Sequence, residues 1–336
     1  MDIIKKTFAG IFAILFIITA IAALFLFNFD RNAFTAETYQ KAFTNGNFYD
    51  QLPAIMAETM VTSTTNNEQF PIVMRGLNVQ VWDAFFRSLL SQDVLKSMGD
   101  DALNSIFAYW NMESNSAELS LIPIKTGMVS DAGVQAVFAL LKTQPDCTLL
   151  QLGQMTVDLF SNGGLQFCNP PADVTPLLTP VIQGQMQMTA LAIPDKFTLI
   201  SAPPENDPRE RLQTVRTLMR LSPILPLGFL LLMTLFAVNS LKSWLNWWGF
   251  PFIITGILAG LMGLSGAPVI GVIFQRILVT RMPAFLPTIL LDYAGNLASA
   301  MVQTLLNPVL LQGLILALIG SVMVVGGILL RRVSEK

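Results

Sequence analysis

Apolar positions along this chain gather into four long runs, and one long polar interval separates the first run from the rest. Residues 8–27 are apolar without a charge. About 20 such residues in a helix cross the hydrocarbon core of a bilayer. Runs at 222–238, 250–266 and 309–330 repeat the pattern. The pattern predicts a mainly α protein with four transmembrane helices. Between the first two spans lies an α-rich extracytoplasmic domain carrying a small two-stranded β element. The expected division is an N-terminal anchor over 1–29, the domain over 30–220, and a three-helix membrane region over 221–336. An outer interfacial segment at 275–308 belongs to the last of these.

Inside the polar interval the periodicity is helical. Helices are expected at 35–42, at 48–60 with Pro53 in or near the first turn, and over 79–112 with a break at Gly99-Asp100-Asp101. Ser130 caps a helix whose stripe is Val134, Val137, Phe138 and Leu141. Thr148 and Gln151 have capping-box spacing for the next, which stops at Asn162-Gly163-Gly164. Further helices are expected at 174–192 and 207–220. Alternation predicts a strand at 118–124 pairing with one at 196–201. Ser222-Pro223 is expected to bend the chain at the entry to the second span, because proline pushes the preceding residue away from α geometry. The alternative there is one kinked helix.

Composition and charge sharpen this picture. Hydrophobic residues make up 53% and charged residues 12% of the 336, about half the charge of a soluble domain. Residues 30–207 hold 18 acidic and 8 basic side chains, a net of −10. An acidic domain of this kind has no basic face for phosphate, which argues against nucleic acid as a partner. Arg209, Arg211, Arg216 and Arg220 then form a juxtamembrane basic collar. They are expected at the outer headgroups, where each is worth about 1 kcal/mol on an anionic surface. Pairing with carboxylates is the alternative. Lys5, Lys6, Lys242, Arg331, Arg332 and Lys336 fall on one side when there are four spans. Both termini are therefore expected in the cytoplasm of a multi-pass cell-membrane protein, with the collar arginines breaking the rule.

The candidate chemistry is sparse. The chain has no histidine, so imidazole bases and imidazole zinc sites are excluded. Its two cysteines, Cys147 and Cys168, both lie in the polar interval, and outside the cytoplasm a disulfide is the expected state. The reach permits it: about 14 helical residues advance roughly 21 Å, and seven extended steps return at most about 25 Å. Gly263-Leu-Ser265-Gly266 has the pattern of an intramembrane serine nucleophile but lacks the histidine to activate it. Gly256, Gly260 and Gly263 read instead as a small-residue helix surface, with Gly313, Ala317 and Ser321 its counterpart. Asp292 with Arg276 or Arg281 reads as a polar pair at the membrane surface. Asp93, Asp100 and Asp101 match no calcium loop and read as solvated. Met155, Met186 and Met188 read as core, or else as an apolar ligand surface.

One span, a large domain and three closing spans resemble the layout of MacB/FtsX-type permeases. The Cys147–Cys168 region ending Cys-Asn-Pro-Pro and the turn Ser-Trp-Leu-Asn-Trp-Trp-Gly also resemble features of bacterial four-span envelope proteins with a large first extracytoplasmic loop. The sequence reads as an integral membrane protein presenting a domain that binds a protein partner or an apolar ligand. No catalytic residue, metal or cofactor is expected. The layout resemblance implies, as the alternative, a permease subunit of mechanotransmission type whose ATPase would meet the turn at 239–248.

Overall fold

The computed structural model describes residues 2–65, 76–158, 168–203, 207–273, 276 and 288–334. The protein is mainly α with one two-stranded sheet. It divides into two compact units. The first comprises Met1–Ala42, Pro203–Thr280 and Gly295–Lys336; the second comprises Phe43–Ala202 with Arg281–Ala294.

The first unit is built from helices α1 (Asp2–Ala33), α10 (Pro208–Leu221), α11 (Ile224–Ala237) and α12 (Leu241–Ile273), together with most of α13 (Thr288–Ser334). Among the described residues four stretches are long and apolar enough to cross a membrane: Ile4–Ala33, Pro208–Ala237, Leu241–Ile273 and Ala294–Leu330. Stacked rings hold α1 to its neighbours, Phe12 against Phe229 and Phe236, and Phe16 against Phe252. Where no water is available, buried donors find partners inside the bundle. Trp248 Nε1 accordingly donates to Thr234 Oγ1 at 2.9 Å.

The spans differ from expectation at several points. α1 runs past Asp30 to Ala33, so the polar end of the first span is still helix. Residues 30–42 and 203–220 fall in the anchor unit and not with the polar domain. Ser222 keeps right-handed helical angles, φ −53° and ψ −33°, despite the proline after it. The regular ladder does break there, with Ser222 N bonding Met219 O over three residues, so α10 and α11 are separate helices joined in near-helical geometry. The expected turn at 239–248 shrinks to the three residues between α11 and α12, and its tryptophans lie on α12. The described part of the expected interfacial segment, 288–308, and the fourth span are one helix, α13, running through Pro308. Proline inside a membrane helix is tolerated because neighbours and side chains satisfy the freed groups.

The second unit holds α3 (Phe48–Thr65), α4 (Val79–Leu89), α5 (Gln92–Trp110), α6 (Ile122–Val129), α7 (Asp131–Leu141), α8 (Leu149–Asp158), α9 (Thr175–Ala192) and the strands β1 (Ser116–Ser120) and β2 (Lys196–Ser201). The end of α2 (Ala36–Asn45) leads into it, and Asn47, at φ 53°, makes the turn. Tyr49, Leu89, Leu90, Leu95 and Met128 are buried at its centre, and Val134, Leu141, Leu178 and Ile182 form a second cluster. The break in the expected 79–112 helix lies at Leu90-Ser91, where Ser91 Oγ accepts from Val94 N. Gly99 is mid-helix for a packing reason. A Cβ there would come within 2.6 Å of the Tyr49 ring, whose hydroxyl donates to Asp100.

β1 begins and ends earlier than expected. Pro123 has no N–H for a ladder and sits in the first turn of α6, so the strand stops at Ser120. The pairing with Lys196–Ser201 is antiparallel, Ser116 opposite Ser201, with an irregularity at Ala117/Glu118. Lys196 reaches Glu118 at 2.9 Å across it, and Lys125 pairs with Asp195 beside it.

Candidate functional site

Helix α9 carries two apolar faces, and only one is used. Leu178, Ile182, Met186 and Ala190 recur at helical spacing and turn inward. Leu177, Val181, Gly184, Met188 and Leu191 recur at the same spacing on the other side. Of these, Leu177, Met188 and Leu191 are 72%, 67% and 72% exposed, and Gly184 faces open space. The stripe advances about 21 Å along the helix. The helix has no charged residue, and the chain has no basic residue between Lys142 and Lys196. Met186 and Met188 are both expected in the core. The structure separates them, Met186 inward and Met188 outward, because they are two positions apart on a helix. The side chain of Met155 lies outside the described residues.

The disulfide closes the region before α9. Cys147 and Cys168 are bonded with 4.9 Å between their Cα atoms. Beside the bond, Asn169 N donates to Pro145 O and Cys147 N to Asn169 O, and the Asn169 amide donates to Asp146 at 2.8 Å. The capping box forms as spaced, with Thr148 N donating to Gln151 Oε1 and Gln151 N to Thr148 Oγ1. α8 is ten residues long, and the expected stop and return strand lie outside the described residues. Closing a loop of this length is worth about 3 kcal/mol in the chain-entropy account. Gln135, Phe138, Lys142, Asn169 and Thr175 line a cleft of about 380 Å³ next to the bond.

In the first unit the glycine surface is in place but shifted. A Cβ on Gly256 would come within 2.4 Å of Ala317 N and 2.5 Å of Gly313 O, so only glycine permits this approach. Gly249 repeats it against Gly320, and Gly263 packs on Leu310. The close approaches to the facing backbone thus fall at Gly249 and Gly256, seven residues apart, with Gly263 looser at 3.2 Å. Gly260 has ordinary room, with Leu310 Cδ1 3.9 Å away. Ser321 is exposed and donates to Ala317 O, leaving its expected place to Gly320. Ser265 donates to Met262 O within its own helix.

Three of the four collar arginines are paired with carboxylates. Asp207 caps α10 and holds Arg209 at 2.6 Å. That guanidinium, with a backbone N–H, keeps the Asp207 carboxyl below its ordinary range. Asp30, 4% exposed, accepts from Arg216 Nε at 2.9 Å and Arg220 Nε at 2.7 Å. The Arg216 guanidinium lies 4.5 Å from the centre of the Phe34 ring. Residues 216 and 220 are i and i+4 on one helix face, so both converge on one carboxylate. Arg211 is exposed.

A second polar contact sits two residues back along α1. The buried Asn28 donates to Gln312 at 2.7 Å and accepts from it at 3.3 Å. Pairing of the collar arginines with carboxylates is the alternative the sequence offers, but neither Asp30 nor the Asn28–Gln312 contact is singled out by it. Their only signal was a lone amide in each apolar run and an acid at a span end. Arg276 is exposed and Asp93 unremarkable, while Asp100 pairs loosely with Lys96 at 3.9 Å. Arg281 and the side chain of Asp292 lie outside the described residues, so their pairing is not described. Among the described residues no three acidic or cysteine side chains converge as a metal site would require. Comparisons with protein families, curated proteins and solved structures find no match to this chain.

Proposed function

We propose that this multi-pass membrane protein displays its second unit outside the cytoplasm as a non-catalytic binding domain for a protein partner or an apolar ligand. The observation carrying this reading is the unused face of α9. Three large apolar side chains stand mostly exposed there, and burying each is worth about 1.5–3 kcal/mol. An apolar stripe of this kind, flanked by Gln and Thr and free of charge, suits an uncharged groove or helix. The extracytoplasmic placement is supported by the Cys147–Cys168 bond, since disulfides persist in oxidising compartments. It gains support from Asp30 as well. By pairing with Arg216 and Arg220 it offsets one of the two charges that stood against both termini being cytoplasmic. The permease reading has less to stand on, because its ATPase contact was placed on a ten-residue turn that is three residues long.

A photoreactive residue at Gly184 or Leu191, introduced into the full chain in native membranes, tests the proposal. A discrete cross-linked product is expected at both positions, and Leu191→Glu should abolish the product at Gly184. If neither position cross-links beyond the level of an exposed control such as Thr143, α9 is not a binding face.

A further inference from the structure

Beneath the Asp30 cluster, α1, α11, α12 and α13 leave a slot of about 250 Å³. Phe16, Ala20, Ala23 and Phe27 form one wall, with Pro223 and Leu316 among those opposite, and every lining residue is apolar. From residue 16 to residue 27 the wall runs roughly 16 Å along α1, the direction in which an acyl chain lies in a bilayer. Residues of the ion cluster stand one turn beyond each wall. Asp30 is three residues past Phe27, and Arg220 is three residues before Pro223, a rise of about 4.5 Å.

The mouth of the slot is positively charged. Asp30 carries one negative charge and its two arginines two positive ones, a net of +1. Arg216 is spent on Asp30 and the Phe34 ring, and only 6% of it is exposed. Arg220 is different. It gives Nε to Asp30 yet keeps its side chain 56% exposed, which leaves the two terminal nitrogens and their four N–H donors. A carboxylate that fixes one edge of a guanidinium pre-orients the other edge, and a planar fork is the donor that phosphate takes bidentately. Arg31, the next residue on α1, is also exposed.

We propose that this slot and Arg220 together bind an anionic glycerophospholipid, its acyl chain along the slot and its phosphate on the Arg220 fork. Charge complementarity selects the headgroup, and the apolar walls select a chain and not a free anion. The proposal is independent of the α9 reading, since it involves only first-unit residues.

The test uses the full chain, delipidated in detergent and reloaded with phosphatidylglycerol or phosphatidylcholine of equal chain length, with retained lipid counted by native mass spectrometry. Phosphatidylglycerol should be retained about fivefold more strongly, the effect of one basic group at an anionic surface. Arg220→Gln should erase that preference, and Arg220→Lys, which keeps the charge and loses the fork, should keep part of it. Ala23→Trp fills the slot without touching Arg220 and should lower retention of both lipids. An unchanged preference in Arg220→Gln overturns the headgroup contact. Unchanged retention in Ala23→Trp overturns the chain in the slot. Glycerol phosphate competing as well as the intact lipid shows a bare anion site and overturns the lipid assignment. Should Arg220→Gln fail to fold, Arg220→Lys and Ala23→Trp still decide the matter.

Discussion

A single carboxylate decides much of the order at the end of the first span. Asp30 faces one buried and one exposed arginine, and these partners are not equivalent. Removing Asp30 strands the buried Arg216, which costs about 3–5 kcal/mol. Removing Arg220 deletes one exposed partner, worth about 1 kcal/mol or less. Asp30→Ala should therefore lower the melting temperature of the detergent-solubilised protein far more than Arg220→Ala. Equal shifts would mean that the cluster is solvated. The glycines offer a second contrast. Gly256→Ala drives a methyl into the backbone of Gly313 and Ala317, which cannot yield, while Gly260→Ala meets a leucine methyl at ordinary distance. The first should weaken α12–α13 packing by about 1–3 kcal/mol and the second should be nearly neutral, as judged by thermal unfolding. Glycine spacing made a seam legible in the sequence, but the choice between Gly256 and Gly260 depends on the rotation of α13. Asp30 was legible only as a charge at a span end. Its partners lie 186 and 190 residues away, and no local pattern links them.

At the scale of elements, local chemistry set what could be read. Ser130 and the Thr148–Gln151 box mark their helix starts because a cap needs only residues within one turn. The break at Gly99 failed as an expectation for the opposite reason. Gly-Asp-Asp is a local stop signal, and the contact overriding it comes from Tyr49, 50 positions earlier. The β1–β2 partners were legible from alternation, yet the strand limit was set by Pro123 entering a helix. This sheet is small enough for one cross-strand pair to matter. Hydrogen bonding to Lys196, then its charge, and then Ser116 hold the Glu118 carboxyl below its ordinary range. A carboxyl lowered by folding contributes stability above its unfolded pKa and loses it as the pH falls through the folded value. The contribution should therefore be full at pH 6 and fade below about pH 4. Glu118→Gln should melt below the native protein at pH 6 and together with it near pH 3. A gap that is the same at both values would remove the pair from the account. Asp207 adds a component of the same sign, which this substitution leaves in place.

Across the whole molecule, charge and redox state point the same way. Lys5, Lys6, Lys242, Arg331 and Arg332 fall on one side of four spans, and basic residues near span ends favour the cytoplasm. The contrary charges at 209, 216 and 220 are each bound to a carboxylate. The two carboxylates, Asp207 and Asp30, offset two of the four collar charges, so the contrary charge is about half of what the arginines alone suggest. The disulfide adds an independent argument, because the cytoplasm keeps thiols reduced. Both predict that the α11–α12 connection lies inside and α9 outside. Single cysteines at Ser240 and at Gln187 test this with the native disulfide intact, since bonded cysteines do not react with maleimides. In intact cells a membrane-impermeant maleimide should label Gln187→Cys and spare Ser240→Cys, and permeabilisation should make Ser240→Cys reactive. The reverse pattern would place the second unit in the cytoplasm and leave the disulfide as the feature needing another cause. Labelling of both sites in intact cells would mean that α11 and α12 do not cross as a pair, and the four-span topology would fall with it.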